Sequence, residues 1–285
     1  YSSITFSSNG GTAVATITQP AGTVIQKPAD PVKTGYTFGG WYYNSGLTTP
    51  VTWPYTFGMT NVVFYARWTA NSYTVTYNGN GSSGGATADS AHTYDIARNL
   101  TVNGFTRSGY SFLGWSEISG AITANYTNGQ SVINLTANPG AIITFYAVWA
   151  VNYYSITFNA NGGTGSTGPD SMAYGSALCA PVVAREGYTF TGWNPAVPST
   201  VPPMDTIYTA QWSVNHYTVS FDEAGGSEVS DVTLDYGMVV TTPADPERTG
   251  YTFAGWVPAV PETMPAEDTL CVAQWTANTY TITFN

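Results

Sequence analysis

The 285 residues read as a mainly β protein, a tandem array of four small domains. Three observations predict this. An alternating strand opens a unit five times, the pattern Gly-Tyr-x-Phe-x-Gly-Trp recurs inside four of those units, and no unit holds an amphipathic stretch long enough for a normal helix. A hydrophobic content of 43% suffices for folded cores, while the charged fraction of 8% lies far below the roughly 25% of an average soluble domain, so hydroxyls and amides must carry solubility.

Each unit opens with a strand such as Tyr154-Ser155-Ile156-Thr157-Phe158, with Ile156 and Phe158 on one face and hydroxyls on the other, the period-two pattern of a half-buried strand. Asn-Gly-Gly follows at 9–11 and 161–163, and Gly225-Gly226 in the fourth unit. These residues accept the positive φ of a tight hairpin, so a second strand is expected at once, as over 13–18. Pro-Ala-Asp-Pro at 28–31 and 243–246 then permits at most a helical turn. Gly35-Tyr36-Thr37-Phe38 is the third strand, and a bulge at Gly39-Gly40 is expected to return Trp41 to the face of Tyr36 and Phe38. The fourth strand, 64–68 in the first unit, ends in Ala-x-Trp, at Ala66/Trp68, Ala147/Trp149, Ala210/Trp212 and Ala273/Trp275.

The closing tryptophans are spaced more widely than the 20–50 residues of a solenoid repeat, so the units are small domains. Their expected bounds are 1–70, 71–151, 152–214 and 215–277, with 278–285 as the first strand of a fifth unit. Linkers of three residues allow little swivel and predict an elongated, semi-rigid rod of beads, each roughly 30 Å across. The second unit departs from the others, with a longer hairpin at 82–85 and an enlarged stretch over 116–141.

The aromatic residues that recur in every bead are expected in the cores, because so small a bead needs them to bury enough area. They are Tyr36, Phe38, Trp41 and Trp68; Tyr110, Phe112, Trp115 and Trp149; Tyr188, Phe190, Trp193 and Trp212; and Tyr251, Phe253, Trp256 and Trp275. Aligning the closing strands puts Phe64, Phe145, Tyr208 and Cys271 at one inward position, so Cys271 reads as a buried thiol in an aromatic's place. Cys179 lies in another bead, and no metal-ligand spacing surrounds either cysteine.

Strand-Asn-Gly-Gly, Pro-x-x-Pro-x-x-x-Gly-Tyr-x-Phe-x-Gly-Trp and Tyr-x-Ala-x-Trp together resemble the internalin B-repeat, or Listeria-Bacteroides repeat, over essentially the whole chain. The resemblance implies β-grasp-like (ubiquitin-like) beads with a reduced helix, strung in tandem in extracellular bacterial surface proteins and adhesins. It implies no catalysis and no cofactor. The expected function is a structural stalk that projects a binding or anchoring region from the cell.

Other chemistries find less support. A net charge of −10 argues against nucleic acid and anionic membrane surfaces. No apolar run reaches the 18 residues of a membrane span, and the first residues lack the pattern of a secretion signal, so the chain reads as a piece of a longer one. His92 and His216 lie in different beads without a nucleophile motif and are expected as surface polar residues. Asp222, Glu223, Glu228 and Asp231 around the fourth hairpin suggest calcium, but a solvated acidic face is the simpler reading, because no EF-hand or RTX spacing accompanies them. Lys27 and Lys33 are the only lysines, which leaves three beads unable to form an isopeptide crosslink. For recognition of a glycan or a host protein, the aromatics outside the repeat pattern, Trp53, Tyr55 and Tyr126, are the exposed candidates. The last stretch, beginning at Thr279 and ending at Asn285, has no unit to pair in, so head-to-tail self-association by strand donation is a further expectation.

Overall fold

A computed structural model describes residues 1–283. It divides into two compact units, Tyr1–Val151 and the chain from Asn152 onward, and each contains two repeats of one four-stranded sheet. In the first repeat the opening strand is Ser2–Ser7, the second Ile17–Gln19, the third Tyr36–Tyr42 and the closing strand Val62–Ala70. The corresponding strands are Ser72–Asn78, Ser90–Thr93, Tyr110–Ser116 and Ile142–Val151 in the second repeat. In the third they are Tyr153–Asn159, Thr167–Ala173, Tyr188–Asn194 and Thr206–Val214, and in the fourth His216–Asp222, Val232–Asp235, Tyr251–Val257 and Thr269–Ala277. Every sheet runs second, opening, closing, third, with opening and closing strands parallel at its centre and both flanking pairs antiparallel. Strands with one buried face explain the alternation seen in the opening segments: Ile156 and Phe158 are buried, as are Ile4, Phe6, Val219 and Phe221.

The described residues contain no helix, so the reduced helix is absent altogether. Loops lead into the third strand where the prolines stand, and Pro lacks the N–H a helical turn would use. The third strand carries the expected bulge, with the register shifting between Phe38 and Trp41 in the first repeat and between Phe112 and Gly114, Phe190 and Gly192, and Phe253 and Gly255 in the others. Trp41, Trp115 and Trp256 are buried as a result, while Trp193 is half-buried. Phe64, Phe145, Tyr208 and Cys271 are all buried at their common inward position, and Cys179 and Cys271 are free thiols.

Each opening turn places two successive residues at positive φ, Asn9 and Gly10, Asn80 and Gly81, Asn161 and Gly162, and Ala224 and Gly225, as in a type I′ turn. Three asparagines also donate their Nδ2–H to the carbonyl of the buried closing-strand alanine, Asn9 to Ala66 at 2.7 Å, Asn80 to Ala147 at 2.8 Å and Asn161 to Ala210 at 3.1 Å. The second glycine of the triplet has a different reason. A side chain at Gly11, Gly163 or Gly226 would meet the ring of Trp68, Trp212 or Trp275. Those indoles, and Trp149, donate Nε1–H to the turn carbonyls of Ser8, Ala160, Glu223 and Gly79 at 2.8–2.9 Å.

Three further expectations, about strands and linkers, need correction. The second strand of the first repeat starts at Ile17 because the chain leaving the turn pairs with the approach to the third strand, Thr12 N–H donating to Val32 O at 2.8 Å. The linkers are one residue long, Asn71, Asn152 and Asn215, because the closing strand stays paired with the third past its tryptophan, as in Tyr36 with Ala70. The terminal stretch forms no strand over 278–283, because no described residue pairs with it as the second and closing strands pair with the other opening strands; residues 284 and 285 of that expectation lie outside the described residues.

Candidate functional site

Within each unit, the junction between its two repeats carries a connected set of hydrogen bonds. In the first unit, Asn71 N–H donates to Gly35 O at 2.9 Å, its Oδ1 accepts from Thr37 Oγ1 at 2.6 Å, and its Nδ2 donates to Ala137 O at 2.7 Å. Its own carbonyl accepts from Tyr94 N–H at 2.9 Å. One asparagine thereby ties the third strand of one repeat to two segments of the next. Tyr94 lies on Gly35, where any side chain would overlap its ring, and meets Tyr36 edge to face at 5.9 Å and 74°. Gly35 therefore serves twice, supplying φ +78° and the room for a tyrosine.

The second unit repeats the arrangement. Asn215 N–H donates to Gly187 O at 2.9 Å, Thr189 Oγ1 donates to Asn215 Oδ1 at 2.6 Å, and Tyr236 N–H donates to Asn215 O at 2.9 Å. Tyr236 covers Gly187 and meets Tyr188 at 6.0 Å and 79°. The first junction has an extra polar clasp, because Tyr36 OH donates to Asp95 Oδ2 and Asn134 Nδ2 to Asp95 Oδ1, both at 2.8 Å. The bonds from Asn134 and then Tyr36 hold the Asp95 carboxyl below its ordinary range, and the same carboxylate pushes the Tyr36 phenol up.

Tyr36, Tyr110, Tyr188 and Tyr251, expected in the cores, stand outside every core cluster at the first residue of the third strand. A cation lies over each ring: Lys33 at 4.2 Å, Arg107 at 3.9 Å, Arg185 at 3.9 Å and Arg248 at 4.1 Å from the centroid. Lys33, Arg185 and Arg248 also donate to the turn carbonyls of Asn9, Asn161 and Ala224. Four of the seven basic residues are therefore committed to this one role. The signal was present in the sequence as Lys/Arg-x-Gly-Tyr at fixed positions, but the aromatic count drew attention to the tyrosine and away from the cation. Phe38, Phe112 and Phe253 pack against their cores, whereas Phe190 is 38% exposed.

Trp53, Tyr55 and Tyr126 are half-buried rather than open to solvent. Trp53 and Tyr55 turn edge to face onto Phe64 at 6.0 and 5.1 Å, and Tyr126 onto Phe145 at 4.8 Å, so the loops of the first two repeats supply lids to their cores. Tyr126 OH donates to Glu117 Oε1 at 2.8 Å, and its pKa is pushed up to about 12 by burial and then by that carboxylate. A core position that the residue pattern does not mark lies in the loop before the closing strand: Phe57, Val201 and Met264 are each buried and accept from the turn after the second strand, and the buried Val132 pairs with Arg98 just beyond that turn. Their diversity in size and type hid them.

His92 is buried, contrary to expectation, at 1% exposure. It stacks on Tyr73 at 5.5 Å, and its Nε2 lies 2.9 Å from Ser90 Oγ, because position 92 falls on the inward face of the second strand. Burial, and then Arg98, holds its pKa down. His216 is exposed and sits 3.1 Å from Asp235. The carboxylates of the fourth hairpin hold backbone instead of converging. Asp222 accepts from Ala224 N–H, Glu223 from Val229 N–H and Asp231 from Phe221 N–H, and no three His, Cys, Asp or Glu side chains gather at one point among the described residues.

Together these features define a tandem-repeat β protein whose distinctive side-chain chemistry lies where one repeat meets the next. The chain belongs to the Listeria-Bacteroides repeat domain family, whose pattern matches residues 3–67, 73–148, 154–201 and 217–269. It is 31% identical over 264 residues, 89% of its length, to a protein of Evansella cellulosilytica named "Putative Gly-rich membrane protein", and 33% identical over 242 residues to a second one from that organism, named "Putative membrane protein". It is also 30% identical over 186 residues, 58% of its length, to Internalin H of Listeria monocytogenes. The chain spans only 29–35% of these relatives. Its repeats are surface repeat domains of bacterial proteins like internalins.

Proposed function

We propose that the chain is a non-enzymatic extracellular spacer of a bacterial surface protein or adhesin, holding a binding or anchoring region away from the cell. The observation that carries this reading is the one-residue junction, in which Asn71 or Asn215 is bonded to the repeats on both sides. A flexible string of binding modules has no use for such stitching, whereas a spacer that must keep its reach does. The central parallel pairing of opening and closing strands supports a β-grasp-like ancestry with the helix replaced by loops.

The test inserts four Gly-Ser residues after Asn71 and after Asn215 in the full chain and compares NMR relaxation with the parent. A spacer requires the joined repeats of the parent to tumble as one body and those of the variant to separate. Identical relaxation in the two would overturn the reading. A second reading, recognition of a glycan or host protein, draws on an open depression of about 240 Å³ in the second repeat, lined by Glu117, Ile118, Asn125 and Tyr126. Saturable binding of the immobilised chain to a glycan or matrix-protein panel, lost with the second repeat, would favour it. Self-association through the terminal stretch rests on Tyr280 and Ile282, each 76% exposed, and is tested by light scattering of a chain ending at Asn278.

A further inference from the structure

The fourth repeat carries the same half-junction as the first and third. Asn278 N–H donates to Gly250 O at 2.9 Å and Thr252 Oγ1 to Asn278 Oδ1 at 2.6 Å, matching Asn71 with Gly35 and Thr37, and Asn215 with Gly187 and Thr189. Gly250 has the same backbone twist, φ +81° against +78° and +74°. Arg248 lies over Tyr251 as Lys33 and Arg185 lie over Tyr36 and Tyr188. One component differs. Gly35 and Gly187 are covered by Tyr94 and Tyr236, while a Cβ on Gly250 would meet no atom of the described residues within 4 Å. The surface beside it opens into a depression of about 590 Å³ whose lining includes Arg248, Thr249, Tyr251 and Thr252.

We propose that this face of the fourth repeat is a preformed socket, and that its occupant is the tyrosine turn of another repeat of the same family. The two filled examples define the ligand. Each supplies a tyrosine whose N–H reaches the junction asparagine and whose ring covers the glycine, followed at once by a residue at positive φ, Asp95 at +60° or Gly237 at +79°. The first repeat of this chain does not qualify. Its equivalent turn is Ala21-Gly22, placed by the bond from Gly22 N–H to Phe57 O that matches Gly237 N–H to Met264 O. Ala21 keeps the turn, with Gly22 at φ +88°, but has no ring to offer. The socket therefore discriminates among repeats of one family. Tyrosine-bearing repeats dock and the alanine-bearing first repeat does not. This holds whether or not the array serves as a spacer.

The experiment follows the Hα resonances of glycine, which a tyrosine ring stacked above them shifts upfield. In the chain as it stands, Gly35 and Gly187 are expected upfield of Gly250, and Tyr236→Ala is expected to bring Gly187 to the Gly250 position. If the three glycines coincide in the unaltered chain, the socket is not empty in the sense argued, and the proposal fails. The chain is then extended after Asn278 with a copy of residues 216–278, whose folding is checked by near-ultraviolet circular dichroism. Gly250 should move upfield with the intact copy and stay in place when the copied tyrosine is replaced by alanine. It should also stay when a copy of residues 1–70 is appended instead. Movement with the alanine-bearing repeat, or none with a folded tyrosine-bearing one, overturns the assignment. Should the extended chain not fold, the Tyr236→Ala comparison decides alone.

Discussion

Replacing Gly187 by alanine and, separately, Gly250 by alanine isolates what a docked tyrosine contributes to a junction. Both glycines hold a left-handed backbone, at φ +74° and +81°, and placing an L side chain there costs about 1–2 kcal/mol at either position. That cost cancels in the comparison. Only at Gly187 does the new methyl group overlap a neighbour, the ring of Tyr236. Moving the ring away forfeits its edge contact with Tyr188, about 0.5–1.5 kcal/mol, and the bond from Tyr236 N–H to Asn215 O, about 1 kcal/mol. Gly187→Ala should therefore cost about 1.5–2.5 kcal/mol more than Gly250→Ala, or about 10- to 70-fold in local opening. Native-state hydrogen exchange reads this directly, at the Asn215 and Tyr236 amides for one variant and the Asn278 amide for the other. A global melt would blur it, because a four-repeat chain need not unfold in one step. Equal acceleration in the two variants would show that the tyrosine does not hold the junction closed.

Other perturbations act inside single repeats. Ala224→Asn should stabilise the fourth repeat by about 1–2 kcal/mol, since asparagine tolerates the left-handed turn and can donate to Ala273 O as its three counterparts do to theirs; exchange protection of the fourth sheet that stays flat would contradict this. Cys179 is exposed and Cys271 buried with its pKa raised by burial, so a thiol reagent should titrate one cysteine in the native protein and the second only on unfolding. The raised pKa also means that the contribution of Cys271 to stability is present below the pKa of the unfolded thiol and lost as pH rises through the higher folded value. For His92, whose folded pKa is depressed, the sign reverses: its contribution is present above 6.5 and lost as pH falls through the folded value, because the unfolded chain takes up the proton first. The opening equilibrium of the second repeat, read as exchange corrected for the intrinsic amide rate at each pH, should therefore rise on acidification, and His92→Gln should remove that part of the response.

Much of the architecture follows from local rules that operate on short segments. Alternation in the opening strands reports which face is buried, the two left-handed positions of the turn favour Asn and Gly, and the bulge glycine re-aims Trp41. Each of these depends on residues a few positions apart, so the amino-acid sequence by itself determined them, as it did the burial of Cys271 among aromatic counterparts. Tertiary structure decided the rest. Tyr36 and Phe38 share a face by spacing, yet one lies outside the core, because the strand begins beyond the edge of that core, where Lys33 of the same repeat and Tyr94 of the next flank the ring. Trp53, Tyr55 and Tyr126 interrupt the repeat pattern and looked free, but a ring in a loop goes wherever an uncovered core will bury it, here over Phe64 and Phe145. Gly187 is covered by Tyr236 of the following repeat, whereas Gly250 has no such cover among the described residues, a difference that no spacing within one unit encodes.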